Sequence, residues 1–135
     1  MHIELLLITL LVIKHFIVDF PFQFKNKGTY GYLGGLLHAG LHALGTFIVF
    51  MVSLWLIVGP DFLEDVAAGV HLSLLMAAVD GVIHYLIDWV KSKLNKKFAP
   101  ATTSRSFWCY ETFGLDQLLH SLTYIGLIFY AVTNG

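Results

Sequence analysis

An apolar run from Val66 to Trp89 carries Asp80, His84 and Asp88 at intervals of four residues near its end. The run is long enough to cross a bilayer as one helix. Because four residues make slightly more than one helical turn, the three side chains share one face of that helix. Ionisable groups inside a membrane span are costly and persist where they meet partners, a cavity or an ion. The rest of the chain is therefore expected to supply partners for this face.

Three further apolar segments accompany this run. Only 13% of the 135 residues are charged and 57% are hydrophobic, whereas a soluble domain has about 25% charged residues. The chain is therefore predicted to be an all-α polytopic membrane protein, a bundle of four transmembrane helices in one membrane domain. The predicted spans are residues 3–20, 32–58, 65–89 and 112–132. The first is expected to stop at Pro21, and Thr112 is a possible N-cap of the last.

Charge and cysteine content exclude several classes of protein. The net charge is −1 and no long basic face is present, which argues against a nucleic-acid partner. The single cysteine, Cys109, cannot form an internal disulfide. The first segment lacks the basic start and the cleavage site of a secretory signal, so it is expected to remain as a span.

Lysine and arginine residues predict the orientation of the chain. Apart from Lys14, they lie in the first and third loops, whereas the second loop carries only acidic charges. Because cytoplasmic loops collect positive charge, the first and third loops are expected inside, with both termini outside.

Each predicted span carries a pair of ionisable residues four positions apart. The pairs are His15 and Asp19, His38 and His42, His84 and Asp88, and Asp116 and His120, with Asp80 one turn deeper. In alternating spans, all four pairs fall at the cytoplasmic end. We therefore expect them to converge in one layer near the cytoplasmic leaflet.

Imidazole and carboxylate groups without thiolates suit zinc, manganese or iron. Four-residue spacing lets one helix offer two ligands to one ion, and converging histidine- and carboxylate-bearing helices resemble the plan of soluble di-metal bundles. The sequence thus predicts one or two divalent transition-metal ions, with zinc favoured. The candidate ligands are His15, His38, His42, His84, Asp88, Asp116 and His120.

A structural interpretation stands beside the metal site. Buried polar residues in membrane bundles also hydrogen-bond across helices simply to hold them together. His2 and His71 are assigned no role in a site, and Lys14 could extend its amine to the interface. Asp88 and Lys91 could form an ordinary ion pair along one helix.

The leading functional hypothesis is a metal-dependent hydrolase that opens to the cytoplasmic leaflet. Asp19 or Asp80 is the candidate general base. Lys14, Gln23 and Lys91, near the expected inner mouth, are the candidate substrate contacts. The location of the site, rather than a motif, predicts a lipid, lipid-linked or phosphorylated substrate.

Three alternatives remain open at this point. They are a di-iron oxidase or hydroxylase, an ion or proton carrier, and a non-enzymatic membrane partner protein with a structural polar core. A bundle of this size is also compatible with a homo-oligomer.

The motifs resemble those of a family of small bacterial and phage membrane proteins, catalogued as a domain of unknown function (DUF3307). They are His15-x-x-x-Asp19-x-x-x-Gln23, His38-x-x-x-His42, His84-Tyr-x-x-Asp88-x-x-Lys91 and Asp116-Gln117-x-x-His120. The resemblance implies a compact multi-span fold and a bacterial inner (cytoplasmic) membrane location. It implies no particular reaction.

The orientation predicts thiol accessibility in intact cells. In a Cys109→Ser background, a cysteine introduced by Lys96→Cys should be protected from a membrane-impermeant thiol reagent, and one introduced by Glu64→Cys should react. The opposite labelling pattern would reverse the predicted orientation.

Overall fold

A computed structural model describes residues 2–22, 32–59, 66–98 and 107–134, and within these ranges the fold is entirely helical. The helices are α1 (Ile3–Ile17), α2 (Tyr32–Val58), α3 (Val66–Phe98) and α4 (Phe107–Asn134). Each packs on its neighbours in the chain, and α1 also packs on α4. The prediction of an all-α bundle of four helices is therefore confirmed.

Three of the helices are long and apolar enough to cross a membrane. The segments that qualify are Gly34–Val58, Val66–Lys97 and Glu111–Asn134. Their outward faces carry large apolar side chains such as Leu37, Val82 and Phe129, which are all exposed. Lipid is a suitable environment for such a surface. The helix α1 has 15 residues and does not meet the same criterion, so its crossing of the membrane stays a prediction.

The interior of the bundle is divided into an apolar half and a polar half. The apolar half is formed by buried residues from all four helices, namely Leu7, Leu11, Val49, Phe50, Met76, Tyr124, Leu127, Ile128 and Ala131. In α1 and α3 these residues precede the paired ionisable residues, and in α2 and α4 they follow them. Because neighbouring helices run in opposite directions, all four ionisable pairs lie toward one end of the bundle.

The end of α1 differs from the prediction that it stops at Pro21. A π-helical turn, Val18–Phe22, continues the helix through the proline and contains Asp19. At its start, the backbone N–H of Val18 is shared between the carbonyl oxygens of Lys14 and His15. A proline lacks the N–H donor and its ring crowds the carbonyl group one turn earlier, and a wider turn accommodates both effects. π-turns within helices frequently occur at functional sites.

The helices α3 and α4 extend beyond the predicted spans. The helix α3 continues past Trp89 to Phe98, with Lys96 and Lys97 in its last turn, where positive charge interacts favourably with the helix dipole. The assignment of Thr112 as an N-cap is wrong, because Thr112 lies inside α4 and its Oγ1 donates to Asn95 Oδ1 of α3 at 2.8 Å. The length of an apolar run indicates how much of a helix would lie in the membrane, and it does not indicate where the helix ends.

Glycines bring the helices into close contact at two places. A Cβ atom at Gly81 would lie 3.0 Å from the Cβ of Ala43, so α2 and α3 approach closely there. A Cβ atom at Gly45 would lie 2.7 Å from Cγ and 2.8 Å from Cδ of Lys14. Gly45 therefore provides the space through which the Lys14 side chain enters the bundle.

Replacing Gly45 tests this packing. Gly45→Ala should lower the free energy of unfolding by about 1–3 kcal/mol, because the added methyl group overpacks the space taken by Lys14. Gly40→Ala, on the same helix, is the matched control, since a Cβ atom there meets nothing within 4 Å. Denaturant titration in detergent micelles measures both, and equal stability of the two variants would contradict the packing.

Candidate metal centre

Five of the seven histidines form one cluster in the polar half of the bundle. His84 lies at its middle, with its ring centroid 3.5 Å from that of His42 and 4.1 Å from that of His120. The ring centroids of His38 and His15 lie 5.1 Å and 5.8 Å from that of His84. All four helices contribute an imidazole, so the four-residue spacing does bring these side chains together.

Asp19 faces one side of this cluster from the π-turn. Its Oδ1 lies 2.8 Å from His42 Nε2 and 3.2 Å from His38 Nε2. Its Oδ2 lies 3.1 Å from His15 Nε2. One carboxylate is therefore in contact with imidazoles from α1 and α2.

Two more carboxylates, those of Asp88 and Asp116, also lie against the histidines. Asp88 Oδ2 is 3.4 Å from His84 Nε2 and 3.6 Å from His38 Nε2. Asp116 Oδ1 is 3.7 Å from His120 Nδ1. Lys91 Nζ donates to Asp116 Oδ2 at 2.6 Å and lies 3.9 Å from Asp88 Oδ1. Lys91 therefore pairs with Asp116 on α4 as well as with Asp88 on its own helix.

The nitrogen and oxygen atoms fall into three overlapping groups that could hold a metal ion. Within each group, the ligand atoms lie within 4.8 Å of one another. The groups are Asp19, His38, His42 and His84; His15, His84 and His120; and Asp88, Asp116 and His120. His84 joins the first group to the second, and His120 joins the second to the third.

Several atoms of this cluster are buried without a hydrogen bond. In the described part of the chain, His38 Nε2, Asp116 Oδ1 and both ring nitrogens of His84 and His120 make no hydrogen bond of good geometry. His38 Nε2 and His84 Nε2 do lie 3.2 Å and 3.4 Å from carboxylate oxygens of Asp19 and Asp88. His84 and His120 are only 1% and 2% exposed. A buried polar atom is normally hydrogen-bonded, and leaving one unpaired costs about 1–3 kcal/mol. These unpaired atoms are therefore the ones most in need of a ligand.

The charges of the cluster also favour a cation. With neutral imidazoles, Asp19, Asp88 and Asp116 contribute three negative charges, and Lys91 compensates one of them. Lys14 and Asp80 neutralise each other. Two negative charges remain, which is the charge that one divalent ion neutralises.

Lys14 and Asp80 form a second polar layer beneath the histidines. Lys14 is 7% exposed, and its Nζ donates to Asp80 Oδ2 at 2.8 Å and to the Tyr124 hydroxyl at 3.1 Å. Thr46 Oγ1 donates to Asp80 Oδ2 at 2.6 Å. The expectation that Lys14 lies at the interface or the mouth of the site is wrong, because its carboxylate partner lies inside the bundle. Asp80 Oδ2 is therefore occupied, whereas Oδ1 is buried without a hydrogen bond, and the ammonium group of Lys14 at 2.8 Å makes this carboxylate a weak general base.

The remaining predicted residues lie at the edge of the cluster or away from it. Lys91 is 27% exposed and lies between the cluster and the outer surface of the bundle. Gln23 lies outside the described residues. His2 and His71 are exposed and belong to none of the three groups of ligand atoms.

Sequence reasoning missed three residues of this network. Tyr124 and Thr46 each follow a cluster histidine by four positions, so the spacing that identified the site also extends to them. Gln117 hydrogen-bonds to His15 Nε2 through Oε1 and donates from Nε2 to Asp116 Oδ2, both at 3.2 Å. A search for polar side chains along the same helical faces would have found Tyr124 and Thr46.

A family model described as a protein of unknown function (DUF3307) matches residues 6–134. The chain belongs to this family. The match extends over all four helices and confirms the resemblance seen in the motifs. No curated protein and no solved structure matches the chain. The function must therefore be argued from the site.

The buried ion pair predicts a large effect on stability. Lys14→Met should lower the free energy of unfolding by about 3–5 kcal/mol, because it leaves the Asp80 carboxylate uncompensated inside the bundle. Adding Asp80→Asn should recover part of the loss. Denaturant titration in detergent micelles measures these changes.

Lys93→Met is the control for this pair, since Lys93 is exposed on the same bundle. It should leave stability nearly unchanged. A Lys14→Met variant as stable as Lys93→Met would show that the ion pair does not contribute to the fold.

Proposed function

We propose that the cluster binds one or two divalent transition-metal ions and that the protein is a metal-dependent hydrolase. The observation that carries this proposal is the convergence of buried, unpaired nitrogen and oxygen atoms on one region of the bundle. These atoms belong to His38, His84, Asp116 and His120, which are the proposed ligands. Their chemistry fits zinc, and also manganese or iron.

Asp88 completes the proposed ligand set. Its carboxylate lies near His38 and His84 through Oδ2, and it also belongs to the group formed with Asp116 and His120. It therefore lies close to ligand atoms of more than one group. A carboxylate in this position could bridge two ions or complete the coordination of one.

The surroundings of Asp116 support its role as a ligand. Lys91 and Gln117 both donate to Oδ2, whereas Oδ1 is buried without a partner. Hydrogen bonds to one oxygen hold the carboxylate in place and leave the other oxygen for a cation. Partners of this kind commonly orient metal ligands.

A divalent ion bound here would supply Lewis acidity, polarising an acyl or phosphoryl oxygen and lowering the pKa of water toward about 7. Because such a water loses its proton easily, the reaction would not depend on a strongly basic carboxylate. This agrees with the hydrogen bonds that Lys14 and Thr46 donate to Asp80 Oδ2. The chain itself contributes a buried and fixed set of ligands.

An apolar groove beside the cluster supports an amphiphilic substrate. It has a volume of about 200 Å³ and lies between α3 and α4, with walls that include Leu86, Val90 and Leu119. Lys91 and Asp116 also line it. A hydrocarbon chain in this groove would place its polar end at the proposed centre. We therefore propose an ester or phosphoester of a lipid or lipid-linked molecule as the substrate class.

The cluster lies at the same end of the bundle as the lysine-rich end of α3. Because cytoplasmic ends of membrane helices collect positive charge, we propose that the centre faces the cytoplasmic leaflet of the inner membrane.

The metal proposal predicts the composition of the purified protein. Protein prepared without a histidine tag should contain about one to two equivalents of a transition metal by elemental analysis. His120→Ala should bind that metal at least about tenfold more weakly, because it removes a proposed ligand. His71→Ala is the matched control and should keep the full content. Metal-free parent protein, or equal content in the two variants, would overturn the assignment.

The reaction is tested separately on the same preparations. Parent protein in micelles containing phosphatidylglycerol should release hydrolysis products detectable by mass spectrometry, and the His120→Ala variant should release far less. Full metal content without product from this or other ester and phosphoester lipids would retain the metal centre and reject the hydrolase.

A further inference from the structure

The hydrogen bonds of Lys14 determine which nitrogen of His15 carries a proton. A lysine ammonium group has three donors and no acceptor, so Lys14 donates to the Tyr124 hydroxyl oxygen at 3.1 Å. The hydroxyl hydrogen of Tyr124 then requires an acceptor, and His15 Nδ1 lies 2.9 Å away. Tyr124 is only 1% exposed, so an undonated hydroxyl would be costly there. His15 Nδ1 is therefore the acceptor, and its proton is on Nε2.

The other side of the His15 ring agrees with this assignment. Nε2 lies 3.1 Å from Asp19 Oδ2 and 3.2 Å from Gln117 Oε1. Both neighbours are acceptors, so an N–H group is required at Nε2. The ring is thus held between a donor on Nδ1 and acceptors on Nε2.

His42 is held in the same way by the same lysine. The third donor of Lys14 is shared between His42 Nδ1 and the backbone carbonyl oxygen of His42, both 3.5 Å from Nζ. A hydrogen on Nδ1 would face the ammonium group, which has no acceptor, so Nδ1 is the unprotonated nitrogen. Nε2 lies 2.8 Å from Asp19 Oδ1, where a carboxylate can only accept. His42 therefore also carries its proton on Nε2 and directs it at Asp19.

We infer that Lys14 is a positioning residue that fixes His15 and His42 as Nε2–H donors, so that together they hold the two oxygens of the Asp19 carboxylate. Lys14 acts directly on His42 and through Tyr124 on His15. Neither imidazole then has a nitrogen free for a metal, which separates them from His84 and His120.

This inference changes the roles predicted for three residues. His15 and His42 orient Asp19 rather than bind an ion. Asp19, stabilised in its ionised form by these donors, supplies a fixed negative charge 3.2 Å from His38 Nε2 rather than acting as a general base. The contrast between these residues and metal ligands rests on the proposed function. The hydrogen bonds that link Lys14, Tyr124, His15, His42 and Asp19 do not depend on it.

Nitrogen NMR of the histidine rings tests the chain of hydrogen bonds. In full-length, ¹⁵N-histidine-labelled protein stripped of metal in micelles, both His15 and His42 should show a protonated Nε2 and an unprotonated Nδ1. Tyr124→Phe should shift the His15 Nδ1 signal, because that nitrogen loses its hydrogen-bond donor while Asp19 and Gln117 still hold the proton on Nε2. The His42 signals should stay unchanged, because Lys14 still faces His42. A protonated Nδ1 on either ring of the parent, or unchanged His15 signals in Tyr124→Phe, would overturn the inference.

Thr46→Val is the matched control for this experiment. It removes a 2.6 Å hydrogen bond to Asp80 Oδ2 but no contact with His15 or His42, so both tautomers should persist. A shift of the His15 Nδ1 signal in Thr46→Val equal to that in Tyr124→Phe would show general loosening of the core and would overturn the specific role.

Metal titration separates this inference from the proposed function. His15→Ala should keep the metal stoichiometry of the parent while binding about tenfold more weakly, because it removes a partner of Asp19 outside the ligand set. Complete loss of stoichiometry would identify His15 as a ligand and overturn the inference. A parent protein with the expected tautomers and no metal would reject the proposed function alone.

Discussion

A charged group in the interior of a membrane-embedded bundle must find its counter-charge within the protein, because lipid offers none. The ammonium group of Lys14 satisfies this requirement with groups from three other helices. It reaches Asp80 on α3, Tyr124 on α4 and the backbone carbonyl of His42 on α2. One side chain from α1 therefore defines how all four helices meet, and Gly45 supplies the space that makes this possible.

The polar half of the bundle consists of two layers with different properties. In the deeper layer, the hydrogen bonds of Lys14, Thr46 and Tyr124 converge, and the Lys14–Asp80 pair is electrically neutral. The layer above it retains unpaired nitrogen atoms on His84 and His120 and an excess of negative charge. A purely structural polar core would be expected to satisfy its own atoms. The deeper layer also has one buried oxygen without a hydrogen bond, Asp80 Oδ1, but that layer is electrically neutral. The larger number of unpaired atoms and the excess negative charge in the upper layer are the physical reason for assigning ligand binding to it.

Much of this arrangement could be predicted from helical periodicity. The four-residue spacing of His38 and His42, or of Asp116 and His120, is sufficient to place each pair on one face. Alternating helices then bring the faces to one level. Periodicity does not tell which way a long side chain turns, so Lys14 was expected at the surface. It also does not reveal the π-turn that carries Asp19, because the proline after it resembles a helix terminus. The ends of α3 and α4 were missed for a related reason, since a helix may continue into water after leaving the membrane.

The dependence of α1 on α3 and α4 has a consequence for biogenesis. The ribosome releases α1 first, with Lys14 close to its C-terminal end, but Asp80 and Tyr124 are synthesised only later. Until then, Lys14 lacks its counter-charge, and no contact with α3 or α4 fixes the position of α1 in the bundle. The docking of α1 through Lys14 therefore follows the synthesis of α3 and α4. A chain truncated before α4 would also lose the hydrogen bond from Lys14 to Tyr124, which helps to hold α1 in place.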